Sequence, residues 1–227
     1  TFQNNTSIFL NLIEAVRKIR INPRIISVGS SEEYGNVGEQ SLPLRENYLV
    51  NPLSPYAVAR VSQELFSKVY VTGYHLDIIL TRSFNHIGPC QKDIFVVSSF
   101  VKRILDALKT EAEPSIETGD LSIVRDFVDV RDVVKAYYLL FQKGEKGEVY
   151  NICSGKGRSL NEVIDLISKL LNIKVHTRCN PQFVRPDDNR IIVGSYEKLN
   201  ACTGWIPSVS LEQSLSDIIQ YWKSNSN

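Results

Sequence analysis

From Asn5 to Arg20, apolar residues recur at Ile8, Phe9, Leu12, Ile13, Val16 and Ile19. Steps of three and four place them on one face of a helix, which Pro23 ends. Arg24–Val28 (RIISV) is a short apolar run rich in β-branched residues, and it predicts a strand running into Gly29-Ser30-Ser31. Five Gly and Pro residues between 35 and 55 predict a loop. Val61, Leu65, Phe66, Val69 and Tyr70 then predict a helix over Tyr56–Thr72, closed by Gly73. Leu76–Thr81, Asp126–Val130 and Glu148–Ile152 read as further strands, with helices over Phe95–Leu108 and Asp132–Gln142. Ser159 with Glu162, and Ser210 with Gln213, are capping boxes that open two last helices, one on each side of a Pro- and Asp-rich loop, Pro181–Arg190.

Helices alternate with strands that are continuous apolar runs. That pattern belongs to an α/β fold with a parallel sheet covered on both faces. No repeat or low-complexity tract interrupts it. A net charge of +1 and a charged fraction of 22% give no reason to expect nucleic acid or an anionic membrane as partner. No apolar run reaches the roughly 18 residues that a membrane helix needs. The first twenty residues are amphipathic and lack the form of a signal peptide. The four cysteines, Cys90, Cys153, Cys179 and Cys202, form no CxxC pair, and the three histidines complete no metal spacing. Reduced thiols and a cytoplasmic setting are the expectation, with no metal site.

The residues with chemical promise lie between Ser30 and Arg60. A strand carries Ser30 and Ser31 to its carboxyl end, where open α/β sheets bind ligands. In SPYAVAR, Tyr56 and Arg60 stand four apart on one helix face. A phenol with a fixed cation one turn away is suited to donate a proton, because the cation stabilises the phenolate left behind. With a serine hydroxyl to hold a carbonyl oxygen, the set suits hydride transfer to a ketone.

Six ordered stretches extend this reading: VGSSEEYG (28–35), SPYAVAR (54–60), RSFNHIGPCQ (82–91), RDFVDVRDVVKAY (125–137), YNICSG (150–155) and RPDD (185–188). In order and spacing they resemble the extended short-chain dehydrogenase/reductases of the epimerase/dehydratase family. Within them the chain is most similar to the branch that reduces GDP-4-keto-6-deoxymannose to GDP-rhamnose. The resemblance implies the C-terminal part of a Rossmann-like doubly wound parallel sheet plus a smaller α/β substrate-binding domain. Residues 1–85 would be the partial Rossmann domain and 86–227 mainly the sugar-nucleotide-binding region, with strands near 126–130 and 148–152 interleaved with the Rossmann part. It implies NADP or NAD as cofactor, a GDP-linked 4-keto-6-deoxyhexose as partner, and a homodimer. Carried over by position, Ser30 and Ser31 hold substrate, Tyr56 is the acid, and Tyr56, Arg60 and His86 contact the cofactor. Asn85, Arg125, Arg185, Asp187 and Asp188 contact the nucleotide sugar, where arginine forks suit phosphate oxygens.

Two departures stand out. The family's YxxxK is YxxxR here, so Arg60 keeps the charge but is planar and relays no proton. Either activity is reduced or the site has adapted. The glycine-rich pyrophosphate turn is missing, and the first βαβαβ half is expected to lie outside this chain. Two alternatives stay open. One is a GDP-mannose 4,6-dehydratase, in which Glu32 of Ser30-x-Glu32 would be the base. Against it, NHIGPCQ and RDFVDVRD stand where that enzyme carries NHESPRR and RDWGHAKD. The other is a truncated, non-catalytic sugar-nucleotide-binding homologue.

Overall fold

The computed structural model describes residues 2–110, 112–184 and 189–225. Helix α1 (Phe2–Lys18) leads into strand β1 (Ile25–Ser30), and helix α2 (Pro55–Tyr74) returns the chain to β2 (Ile78–Ser83). The strands are parallel and in register from Ile25↔Ile78 to Ser30↔Ser83. Every residue of β2 is buried, the apolar Ile78–Leu80 as well as the polar Thr81, Arg82 and Ser83 at its carboxyl end.

Ser54 caps α2 by accepting from the Ala57 N–H at 3.0 Å, with Pro55 in the first turn, where its missing N–H costs nothing. The helix does not close at Gly73. It runs to Tyr74 and ends at His75, which adopts φ 60°. Tyr74 holds that last turn, with its ring 5.0 Å from Tyr70 and under the Arg17 guanidinium. The apolar face of α1 is split. Ile13 and Val16 are buried against Tyr70, Leu76 and Ile78, whereas Ile8, Leu12 and Ile19 stay 70%, 54% and 64% exposed.

Beyond β2 the chain forms β3 (Asn85–Ile87), α3 (Val96–Ala107), β4 (Ser115–Thr118), β5 (Val124–Asp129), α4 (Val130–Lys143) and β6 (Val149–Ile152). Then come β7 (Gly157–Ser159), α5 (Leu160–Leu171), β8 (His176–Cys179), β9 (Ile191–Ile192), α6 (Glu197–Thr203) and α7 (Leu211–Asn225). β6 returns to the first sheet and pairs β2 in parallel. β5 instead centres a second sheet, parallel to β3 and β9 and antiparallel to β7. β4 and β8 make a separate parallel pair. Helices α3, α5 and α7 share one core around Val101, Ile104, Val163, Ile167, Leu215 and Ile218. A second core sets α4 and α6 against the first sheet through Val133, Leu140, Ile152, Leu199 and Trp205. No helix among the described residues is long and apolar enough to cross a membrane.

Candidate active site

At the carboxyl end of β1 the chain turns sharply. Ser30 caps a single 3-10 turn, Ser31–Tyr34, and the capping is reciprocal. The Ser30 Oγ accepts from Glu32 N at 3.3 Å, and the Glu33 carboxylate reaches back to accept from Ser30 N at 2.7 Å. Two glycines make the turn possible. A Cβ on Gly29 would stand 2.3 Å from Glu33 Oε1, and Gly35 closes the turn at φ 65°, with its α-carbon against the Asn51 carbonyl. Ser31, Glu33 and Tyr34 are thereby buried and Glu32 is exposed.

Glu33 is fully buried beside an ion-pair chain. Arg82 Nε lies 3.7 Å from Glu33 Oε2, and the same guanidinium makes two bonds to Glu64, at 3.0 and 2.9 Å. Lys68 Nζ completes the chain at 2.6 Å from Glu64. Burial pushes the Glu33 carboxyl up to about 8, against the pull of the Ser30 N–H, and the neighbouring Glu64 charge adds to the rise. Burial also opposes ionisation of Glu64, but hydrogen bonds from Arg82 and Lys68 bring its pKa below the usual carboxylate value. Tyr34, stacked under Arg82 and donating to Asn151 Oδ1 at 2.7 Å, is pushed by burial to about 12.

Tyr56 and Arg60 occupy the first two turns of α2, both half-buried. The Arg60 guanidinium carbon stands 5.1 Å from the Tyr56 ring centroid. Arg60 Nη1 donates to the Val28 carbonyl at 3.2 Å and to Gln63 Oε1 at 2.9 Å. The phenol–guanidinium pair is therefore tied to β1 two residues before Ser30. Burial pushes the Tyr137 phenol, from α4, above its ordinary value against the opposing Ser83 hydrogen bond and Arg60 charge, and its hydroxyl lies 2.8 Å from Ser83 Oγ, in register with Ser30. Gln63 lay outside every sequence motif, and Arg82 and Tyr137 entered only as end residues of longer stretches with no role assigned, because each reads as an ordinary helix or strand position until the fold brings it to this end.

Asn85 and His86 sit on β3, two and three residues beyond Ser83, and both are exposed. His86 Nδ1 is 3.2 Å from the Phe84 carbonyl. Arg125, on β5, donates to the carbonyls of Val124 (2.9 Å) and Asn189 (2.6 Å), so it anchors the segment leading into β9. Its neighbour Asp126 is a buried hub that accepts from Ser154 Oγ and N, Gly155 N and Gly194 N at 2.6 to 3.2 Å. Arg185, Asp187 and Asp188 lie outside the described residues.

A family model described as GDP-mannose 4,6 dehydratase matches residues 1–218. The GDP-6-deoxy-D-mannose reductase of Pseudomonas aeruginosa is 34% identical over 224 residues, covering 99% of this chain and 74% of that protein. The structure of RMD from Pseudomonas aeruginosa complexed with NADPH superposes with a TM-score of 0.93, at 34% identity, over 99% of this chain and 75% of that one. The UDP-glucose 4-epimerase of Thermotoga maritima, solved with UDP-glucose, gives 0.89 at 30% identity, over 100% and 71%.

Proposed function

The chain belongs to the GDP-mannose 4,6-dehydratase family of nucleotide-sugar enzymes, and on that premise we propose that it is a nicotinamide-dependent reductase of a GDP-linked 4-keto-6-deoxyhexose, GDP-4-keto-6-deoxy-D-mannose, yielding GDP-D-rhamnose. The observation that carries this reading is the Tyr56–Arg60 pair bonded to the strand that presents Ser30 at the carboxyl end of a parallel sheet. The likeness to a reductase solved with NADPH supports it.

Bound NADPH or NADH supplies hydride to the carbonyl carbon of the sugar. The residues here fit such a group: Arg60 Nε is a buried donor with no partner among the described residues, beside the phenol. Tyr56, Arg60 and His86 are proposed to hold it. Ser30 and Ser31 offer hydroxyls to the carbonyl oxygen, and Tyr56 donates the proton that oxygen needs as the hydride arrives. The Arg60 charge stabilises the phenolate left behind. Asn85, Arg125, Arg185, Asp187 and Asp188 are proposed to face the nucleotide sugar, with arginine on the diphosphate. The first sheet would then serve the cofactor, and the region after residue 86 mainly the sugar nucleotide. The exposed apolar residues Ile8, Leu12 and Ile19 on α1 and Val58, Leu65 and Val69 on α2 support a homodimer.

Incubation with the 4-keto sugar nucleotide and reduced nicotinamide is expected to consume both and to yield the 4-hydroxy product, identified by NMR. Tyr56→Phe should lower turnover about 10²- to 10⁴-fold with the fold intact. Wild-type turnover in that variant at saturating substrate would remove Tyr56 from the mechanism. The exposed Glu32 carboxylate favours a second reading, dehydration of GDP-mannose with Glu32 as base. Formation of the 4-keto product from GDP-mannose, lost in Glu32→Gln, would favour it.

A further inference from the structure

Gln63 is a polar side chain only 6% exposed, one helical turn after Arg60. Its amide nitrogen donates to Ser27 Oγ at 3.0 Å and to the Val28 carbonyl at 3.1 Å, while its oxygen accepts from Arg60 Nη1 at 2.9 Å. Ser67 joins the same knot, with its hydroxyl 3.1 Å from Ser27 Oγ and 2.8 Å from the Gln63 carbonyl. The Val28 carbonyl thus takes bonds from both Gln63 and Arg60, two residues before Ser30.

Arginine is a long side chain with a planar fork of five donors. A lysine ammonium works as a point, whereas a guanidinium works as an oriented plane, so it needs a second anchor to keep one orientation over the Tyr56 ring. Gln63 is the side chain that supplies that anchor. Each of its polar atoms is used, and each bond runs to Arg60 or to β1.

We propose that Gln63 is a positioning residue that adapts the site to arginine: by bridging Arg60 Nη1 to Ser27 and Val28, it holds the guanidinium in the place over Tyr56 from which it serves the phenol and the cofactor. The proposal rests on the reading of Tyr56 and Arg60 as reacting groups. It makes the YxxxR form a working variant whose fourth component lies three residues downstream.

The test is a double-mutant cycle of Gln63→Met, which nearly conserves volume, with Arg60→Lys. Gln63→Glu accompanies it, because that change restores an acceptor for Arg60. With Arg60 in place, Gln63→Met should lower kcat/KM for the nicotinamide about tenfold, mainly through KM, the size expected for one hydrogen bond to a charged group. Gln63→Glu should recover part of that loss. In the Arg60→Lys background, Gln63→Met should change kcat/KM less than about twofold, and that non-additivity marks the interaction as specific to the guanidinium. Equal losses in both backgrounds would make Gln63 merely structural and overturn the proposal, as would no loss with Arg60. A second readout needs no turnover. Rotation of the Arg60 guanidinium, followed by ¹⁵N NMR, should be slow in the wild type and fast in Gln63→Met, and unchanged rotation would overturn the proposal. Tyr56→Phe separates the two levels: full turnover in that variant rejects the catalytic reading, whatever Gln63 does to Arg60.

Discussion

Glu32 and Glu33 share one chemistry and sit side by side, yet the 3-10 turn sends Glu32 into solvent and Glu33 into the protein beneath Gly29. The buried carboxyl sits at about 8 rather than the usual 4.5, so the folded protein keeps a proton that the unfolded chain has already released. The sign follows by linkage. Between about pH 4.5 and pH 8 the folded state binds more protons than the unfolded, so the contribution of Glu33 to stability is complete below that window and is lost as pH rises through it. Its slope is bounded by about 1.4 kcal/mol per pH unit. Glu33→Gln keeps an oxygen for the Ser30 N–H and removes the titration. Urea unfolding across this window should show the wild type losing stability with rising pH and the Gln variant losing less. Parallel curves would show that Glu33 does not titrate there.

At the scale of elements, the RDFVDVRD stretch works chiefly as a row of staples. Asp129 caps α4 and binds Arg131 through both carboxylate oxygens, at 2.7 and 2.8 Å. Asp132, one turn on, accepts from Ser208 Oγ, Ser208 N and Val209 N at 2.7 to 2.8 Å and so fixes the segment between α6 and α7. Asp132→Ala removes a charged acceptor that is itself only 2% exposed and should destabilise the fold by about 1.5–3 kcal/mol. Asp132→Asn, which keeps one acceptor oxygen, should cost less, and equal unfolding midpoints for the two variants would contradict this account. The Asp132 bonds join residues more than seventy positions apart, and no local pattern announces them. What local pattern did announce was local physics. The Ser159–Glu162 capping box opens α5 with both bonds made, and the apolar start of β2, Ile78–Leu80, is buried throughout. β8, by contrast, is exposed at all four residues, and β3 and β7 span three residues each, so none carries a burial period to read. At the site, Ser30, Tyr56 and Arg60 were legible because a strand end and a helix turn place them. Gln63 and Glu33 were not, because their roles depend on which face of the turn or helix meets the sheet.

For the whole molecule, the open question in the apolar pattern is the outer half of α1. Its sequence period is wider than α2 can cover: Ile13 and Val16 go inside, and Ile8, Leu12 and Ile19 remain outside. Helix α2 repeats the arrangement, with Leu65 and Val69 each 57% exposed and Val58 41%. On each helix these positions are spaced by four, seven or eleven, so each presents one stripe, and the two helices pack against each other. Exposed apolar positions of this kind support the proposed homodimer. A second copy related by a two-fold axis would set the same two stripes against each other, giving a self-complementary four-helix contact. Burying a leucine is worth about 1.5–3 kcal/mol, so Leu12→Glu combined with Leu65→Glu removes that gain and places carboxylates opposite their own symmetry mates. Sedimentation equilibrium should show a dimer for the wild type and a monomer for the double variant, with far-UV circular dichroism unchanged because neither side chain supports the internal core. A wild-type monomer at micromolar concentration would overturn the homodimer, and a double variant that stays dimeric would move the association face elsewhere.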